Sequence, residues 1–237
     1  TYDPTMGFLP EQGGTYRASL LRRDEKQEWE RYSYSLETYE EHAERVWRAA
    51  CAIWPDLARA AARLEARAGW PAGSLQRMAE LAALTHDVGK LNRSWQEWVR
   101  RYQENIGKPV TRDFYAHTDS DPNDPSHLDA SRRAGRRPPH AVESALAVAP
   151  LIATLADEHE ALRDATFSAI ARHHSAQADS FQSFHLVDEA CDIMLNMLHP
   201  LGLEEIDPTE ALIDQAKQEE WADSVEQLWV NEDDDDA

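Results

Sequence analysis

Six residues carry the chemistry open to this sequence: His42, His86, Asp87, His140, His173 and His174. Imidazoles and a carboxylate are what a divalent metal needs when it must be held and still leave room for water. An aspartate directly after a histidine can serve two ions, since each carboxylate oxygen can face one. Two ions about 3.5–4 Å apart can clamp a phosphodiester and lower the pKa of a water between them. Five histidines with one aspartate suit that arrangement better than a single-metal site. Taken singly, each residue has an ordinary structural reading. His42 alone is a polar helix-face residue, His-Asp is a common dipeptide, and His173-His174 could cap a helix C-terminus, where imidazolium favours the dipole. The ordered set on successive helices points instead to a dinuclear metal site. Its separations are 44 residues from His42 to His86, 53 from Asp87 to His140 and 33 from His140 to His173.

Helices must position that set. Thr38 with Glu41 forms a capping box and opens a helix that carries His42. Its apolar face reads Val46, Ala49, Ala50, Ile53, Leu57, Ala60, Ala61 and Leu64, with a bend at Pro55 and an end at Gly69-Trp70-Pro71. Ser74 caps a second helix, with Leu75, Met78, Leu81, Ala82 and Thr85 inward, which runs into His86-Asp87 and stops at Gly89. Ser94 with Glu97 makes another box for a helix bearing Trp95, Trp98, Val99 and Tyr102. From about Ile106 to Pro139 periodicity vanishes among five prolines, which predicts a long loop of functional or mobile character. Helical pattern returns from His140 to Leu155 with a kink at Pro150, then over about Leu162–His173, Phe184–Leu198 and Thr209–Trp229. The expectation is an all-α bundle of about seven helices, with a candidate short strand at Tyr32–Leu36. An irregular segment covers 1–36, the catalytic domain 37–230, and an acidic, disordered tail 231–237. The start at Thr1 rather than Met suggests an excised domain or a processed chain.

Composition sets the class. With 237 residues, 42% of them hydrophobic and 29% charged, the chain has enough apolar matter for one substantial soluble domain. The longest small-apolar stretch, Ala145 to Ala156, is broken by Pro150 and too short to span a bilayer. Neither a membrane segment nor a secretory signal is expected, and the location is cytoplasmic. Cys51 and Cys191 sit in apolar helical patterns without C-x-x-C spacing, which predicts buried thiols in a reducing cytosol rather than a redox motif or a zinc ribbon. The formal charge of −20 is unlike the basic footprint of a protein that captures nucleic acid alone. If the substrate is nucleic acid, metal ions or a partner must supply the attraction. The concentrated basic patch is Arg132, Arg133, Arg136 and Arg137, a phosphate contact or a solvated loop.

Leu84-Thr85-His86-Asp87-Val88-Gly89-Lys90 resembles the signature of the HD superfamily of metal-dependent phosphohydrolases, in which HD-x-GK ends a helix in the site. With Trp95-Gln96, the lone His140 at a helix start and Ile170-Ala171-Arg172-His173-His174-Ser175, the set resembles the HD nuclease domain of the CRISPR-associated helicase-nuclease of type I systems. The likeness spans about Thr38 to Ser175. The opening Tyr2-Asp3-Pro4-Thr5-Met6-Gly7-Phe8 also resembles the junction that follows the helicase in variants with a C-terminal HD domain.

The resemblance implies that His42, His86 and Asp87 hold one ion and that Asp87, His140, His173 and His174 hold a second, with Asp87 bridging. It also implies that Lys90 faces the scissile phosphate as an electrostatic stabiliser; a solvated cap lysine is the ordinary alternative. The expected cofactors are two divalent ions, with Mn, Fe, Ni or Co favoured over Mg. The expected partners are single-stranded DNA, a helicase domain or subunit, and the CRISPR surveillance complex. The family carries a further aspartate ligand on a late helix, for which Asp188 and Asp192 are the candidates, both also readable as surface acids. His117 and His127 fall in the polar stretch and are expected to be solvent-exposed. Two other functions share the scaffold: an HD phosphohydrolase acting on nucleotides or cyclic dinucleotides, and an HD module that has lost catalysis and serves interaction.

Overall fold

Helix α1 (Tyr39–Ala68) begins where the sequence places it. The Thr38 hydroxyl accepts from the Glu41 N–H (3.3 Å), and the Glu41 carboxylate accepts from the Thr38 N–H (3.1 Å). The helix runs through Pro55 and stops at Gly69, whose φ of 73° takes the left-handed conformation that glycine tolerates. The computed structural model describes residues 33–174 and 184–203, Leu212, and two short strands near the start. The chain divides into two units, Thr1–Tyr32 and Ser33–Ala237. In the first, β1 (Tyr2–Asp3) pairs antiparallel with β2 (Gly7–Phe8). The helix expected at Thr209–Trp229 and the acidic tail lie outside the described residues.

The second unit is helical, as expected, and holds eight α-helices among the described residues. Its main core draws on α2 (Ser74–Thr85), α5 (Ala141–Ala147), α6 (Ala149–Ala156), α7 (Glu160–Ala171) and α8 (Ala190–Leu198). Leu81, Leu84, Leu146, Leu151, Ile152, Leu162, Ile170 and Met194 are all buried there. A smaller cluster joins α3 (Arg93–Asn105) to α4 (Pro125–Ala134) through Trp95, Trp98, Val99, Tyr102, Ala130 and Ala134.

Local details depart from the sequence reading for physical reasons. The buried side of α1 is built on Tyr39 and Ala43 with Trp47 packed against the core, at i, i+4 and i+8. The expected face is instead largely exposed: Ile53, Leu57 and Leu64 stand 58%, 47% and 49% open. The start of α2 is capped not by Ser74 but by Glu65 of α1, whose carboxylate accepts from the N–H groups of Gly73 (3.0 Å) and Leu75 (2.8 Å). Asn92 rather than Ser94 caps α3, accepting from the Ser94 N–H at 3.1 Å. The connection over 106–139 is long but not structureless. It carries β4 (Tyr115–His117), paired antiparallel with β3 (Glu37–Thr38), and α4, opened by an Asp124 cap and Pro125. Helix α4 buries only Ala130 and Ala134, too little apolar matter for periodicity to reveal it. What reads as one helix kinked at Pro150 is α5 and α6 meeting at Val148, with Pro150 in the first turn of α6.

The turn after α2 is a 3-10 helix, Val88–Leu91, pressed against the start of α5. The Gly89 N–H donates to Ser144 Oγ (2.8 Å), which donates to the His140 carbonyl (2.6 Å). A Cβ on Gly89 would lie 2.4 Å from the His140 carbonyl oxygen and 2.9 Å from the Ser144 nitrogen, both backbone. Gly89→Ala should therefore cost about 1–3 kcal/mol, as overpacking does, and shift His140. Urea unfolding gives the cost; a midpoint equal to the wild type would contradict this close approach.

Candidate metal centre

The fold brings all six sequence-predicted metal ligands to one point. His42 closes the first turn of α1. His86-Asp87 form the turn after α2, and Lys90 rides the 3-10 helix that follows. His140 holds the N-cap position of α5, and His173-His174 follow α7. At the centre lies Asp87, 2% exposed. Its Oδ2 faces His42 Nε2 (3.0 Å), His86 Nε2 (3.3 Å) and Lys90 Nζ (2.7 Å). Its Oδ1 faces His140 Nε2 (3.2 Å) and His173 Nε2 (3.4 Å). His174 Nε2 stands 2.7 Å from His140 Nε2.

Outer contacts fix which ring nitrogen carries a proton. His86 Nδ1 lies 2.9 Å from the Ala83 carbonyl, His173 Nδ1 2.7 Å from the Ile170 carbonyl, and His42 Nδ1 3.2 Å from Glu37 Oε2. Those oxygens only accept, so each Nδ1 donates, and the neutral form of each ring would turn a bare Nε2 lone pair inward. The Nε2 atoms of His42 and His86 are then two lone pairs 3.3 Å apart, both aimed at a carboxylate oxygen. Asp87 Oδ1 and His173 Nε2 are buried without a hydrogen-bond partner. Acceptors that converge on acceptors need a cation between them, so this donor set fits divalent metal. Ligand atoms gather into two such groups around the aspartate, His42–His86–Asp87 and Asp87–His140–His173–His174.

Electrostatics agrees with that requirement. With no ion bound, protons on Nε2 meet this need: burial pushes the Asp87 carboxyl up, but hydrogen bonds from His140, His173, His42 and His86 outweigh it and hold the group well below the usual carboxylate range, and a divalent ion would displace those protons. Burial drives His140 down to about 4 and His174 to about 3, so both are neutral at neutral pH, the form that can bind metal. Burial also lowers the Lys90 ammonium, with the Asp87 charge opposing. A pH dependence follows for the chelated protein. The unfolded chain takes up a proton at His140 below the ordinary histidine value of about 6.5, while the folded chain resists until about 4. The stability His140 contributes is thus full above that ordinary value and lost as pH falls toward the folded one. Between about pH 7.5 and about pH 5, wild type should lose about 2 kcal/mol more than His140→Gln. Equal losses in urea unfolding would contradict the buried, neutral assignment.

Two site residues escaped the sequence reading. Glu37, at the edge of β3, accepts from His42 and is paired with Arg45. His117 was expected to be exposed; it is half-buried on β4, edge-on to His42 at 4.6 Å, and burial drives it down to about 3. Glu37, His42 and His117 form a third group with metal-ligating geometry. The pairing of β3 with β4 brings the two new members in, and nothing in local sequence signals it. His127, also expected in solvent, is half-buried against Tyr102 Oη (3.0 Å) and accepts from the Asp121 N–H. Lys90 is no solvated cap: it is 3% exposed and held by Asp87. Asp188 is exposed and pairs with Arg93, and Asp192 lies exposed in the first turn of α8; neither joins a metal-ligating group among the described residues. In the arginine patch, Arg133 is tied to Asp129 and the Asn105 carbonyl, whereas Arg137 lies over Trp95 beside the site. Cys51 and Cys191 are half-buried rather than fully buried.

A helical bundle that folds five imidazoles around the aspartate of a His-Asp turn is the arrangement of the HD-type metal-dependent phosphohydrolases. A family model described as Cas3, HD domain, matches residues 25–234. The chain belongs to that family of metal-dependent HD-type nucleases of CRISPR systems. No curated protein and no solved structure matches it. No helix among the described residues is long and apolar enough to cross a membrane.

Proposed function

We propose that this chain hydrolyses phosphodiester bonds of single-stranded DNA in CRISPR interference, on two divalent ions that share Asp87, and that a helicase delivers the strand. The observation that supports it is the division of the Asp87 carboxylate: one oxygen faces His42 and His86, the other His140 and His173. Bound at those two positions, ions would supply a polarised phosphate and an activated water. His42, His86, His140, His173 and His174 with Asp87 would hold the ions, and Lys90 would place a buried cation beside them. In this reading 37–230 is the nuclease domain and 1–36 a junction to the helicase, acting with the CRISPR surveillance complex in the cytoplasm. A net charge of −20 repels a polyanion at long range, so delivery by a basic partner raises the local strand concentration that the domain cannot raise itself.

The test is substrate choice. The chelated chain, reloaded with Mn²⁺, is offered a single-stranded oligodeoxynucleotide, a nucleoside triphosphate and a cyclic dinucleotide. Cleavage of the oligonucleotide alone is expected. Hydrolysis of either small substrate without DNA cleavage would overturn the reading in favour of a nucleotide phosphohydrolase, and hydrolysis of none would favour an inactive interaction module.

A further inference from the structure

Beside the metal centre lies a cavity of about 390 Å³ that the metal chemistry does not use. Its lining includes His140, His174 and Lys90, so it opens on the candidate metal centre. Tyr34, Trp95, Trp98 and His117 also line it, with Arg137, among polar residues such as Ser120, Asp121 and Ser131. The volume lies within the range of small-molecule and cofactor sites, and a nucleotide fits it.

Tyr34 is the unusual member. It is 52% exposed, whereas Trp95 and Trp98 are 3% and 5% exposed and belong to the core. A large exposed aromatic is ordinary on a loose loop, but Tyr34 is not on one. Its backbone is fixed by reciprocal bonds with Ser120, Tyr34 N–H to Ser120 O at 2.7 Å and Ser120 N–H to Tyr34 O at 2.8 Å. Its ring is parallel to that of His117, with centroids 5.1 Å apart, and His117 in turn packs edge-on against the ligand His42. One face of Tyr34 is thus backed by a half-buried ring and the residue remains half open, which makes a rigid platform. Arg137, also in the lining, supplies charge. Its guanidinium lies 5.7 Å from the Trp95 centroid, over the same ring that Lys90 approaches at 5.2 Å. Lys90 is committed to Asp87, so Arg137 is the exposed cation of the two.

We propose that this cavity is a nucleotide subsite next to the scissile phosphate: the Tyr34–His117 stack receives a base by stacking, and Arg137 contacts a backbone phosphate. The proposal rests on the single-strand substrate reading above and adds to it the residues that hold the strand. A duplex keeps its bases stacked on one another and cannot offer a free face to Tyr34, so the subsite also selects for single strands. Base–aromatic stacking tolerates any sequence, as every base has a π face.

The test is binding of a short fluorescein-labelled oligothymidylate to the full chain in chelator, where no cutting occurs. Tyr34→Ala should weaken binding at least about fivefold, the lower end of what one lost stacked base costs, and Tyr34→Trp should retain it. On an oligonucleotide of the same length made of abasic sites, wild type and Tyr34→Ala should bind alike. Arg137→Gln should weaken both oligonucleotides and flatten the salt dependence by about one phosphate contact. Equal binding of oligothymidylate by wild type and Tyr34→Ala, or equal weakening by Tyr34→Ala on the abasic strand, would overturn the stacking subsite while leaving the substrate reading intact. Failure of the wild type to bind the oligonucleotide, with the small-substrate activities present, would overturn both.

Discussion

Asp87→Ala should abolish cleavage, by at least about 10³-fold, the scale of removing a principal electrostatic element from an active site. Among the described residues, Asp87 is the member shared by the two ligand groups, His42–His86–Asp87 and Asp87–His140–His173–His174. Its Oδ2 lies within 3.3 Å of two imidazole nitrogens and its Oδ1 within 3.4 Å of two more, so the substitution would remove a ligand from both proposed ion positions at once. It also removes the one carboxylate among five imidazoles, and with it the negative charge that draws cations in. Lys90 loses its partner, but its ammonium is already lowered by burial and can shed its proton instead of standing as an unpaired buried charge. The helical fold should therefore survive, which circular dichroism checks. Asp87→Asn preserves volume and an oxygen for Lys90 and should be as inactive as the alanine variant. Cleavage at the wild-type rate by either would contradict a shared bridging carboxylate.

The second large effect is metal identity. Five imidazoles and a single carboxylate form a nitrogen-rich donor set, and nitrogen donors suit Mn²⁺, Fe²⁺, Co²⁺ and Ni²⁺ better than Mg²⁺, which prefers oxygen ligands and keeps its own waters. After chelation, adding back Mn²⁺, Co²⁺, Ni²⁺ or Fe²⁺ should restore cleavage at least about tenfold above Mg²⁺ at equal concentration. Full activity in Mg²⁺ with no gain from the others would argue that the histidines are not the ligands.

The sequence made some of this legible and concealed the rest for identifiable reasons. His42 and His86-Asp87 could be placed because the Thr38–Glu41 cap and Gly89 mark helix boundaries in the chain itself, and His140 and His173-His174 because the helical pattern begins or ends at them. Thr38 with Glu41 is the plainest case: both partners of the cap are three residues apart and needed no tertiary knowledge. Glu37 and His117 were invisible because an edge pairing brings them together across a connection with no hydrophobic period. Helix α4 was hidden for a related reason, since two buried alanines carry its packing. On α1 the aliphatic pattern misled: Ile53, Leu57 and Leu64 face outward, and the core takes aromatic and small side chains instead. Glu65 could not be read as a cap for α2 because it lies on the preceding helix.

The central claim is that Asp87 joins two ions, and counting them tests it most directly. Chelated chain is dialysed to equilibrium against Mn²⁺ and its bound metal measured, beside His86→Ala and His174→Ala, which each take a ligand from one group only. About two ions per wild-type chain are expected, as the paired site requires, with about one retained by each single-group variant. A wild-type chain that saturates at one ion, or that binds none, would contradict the account.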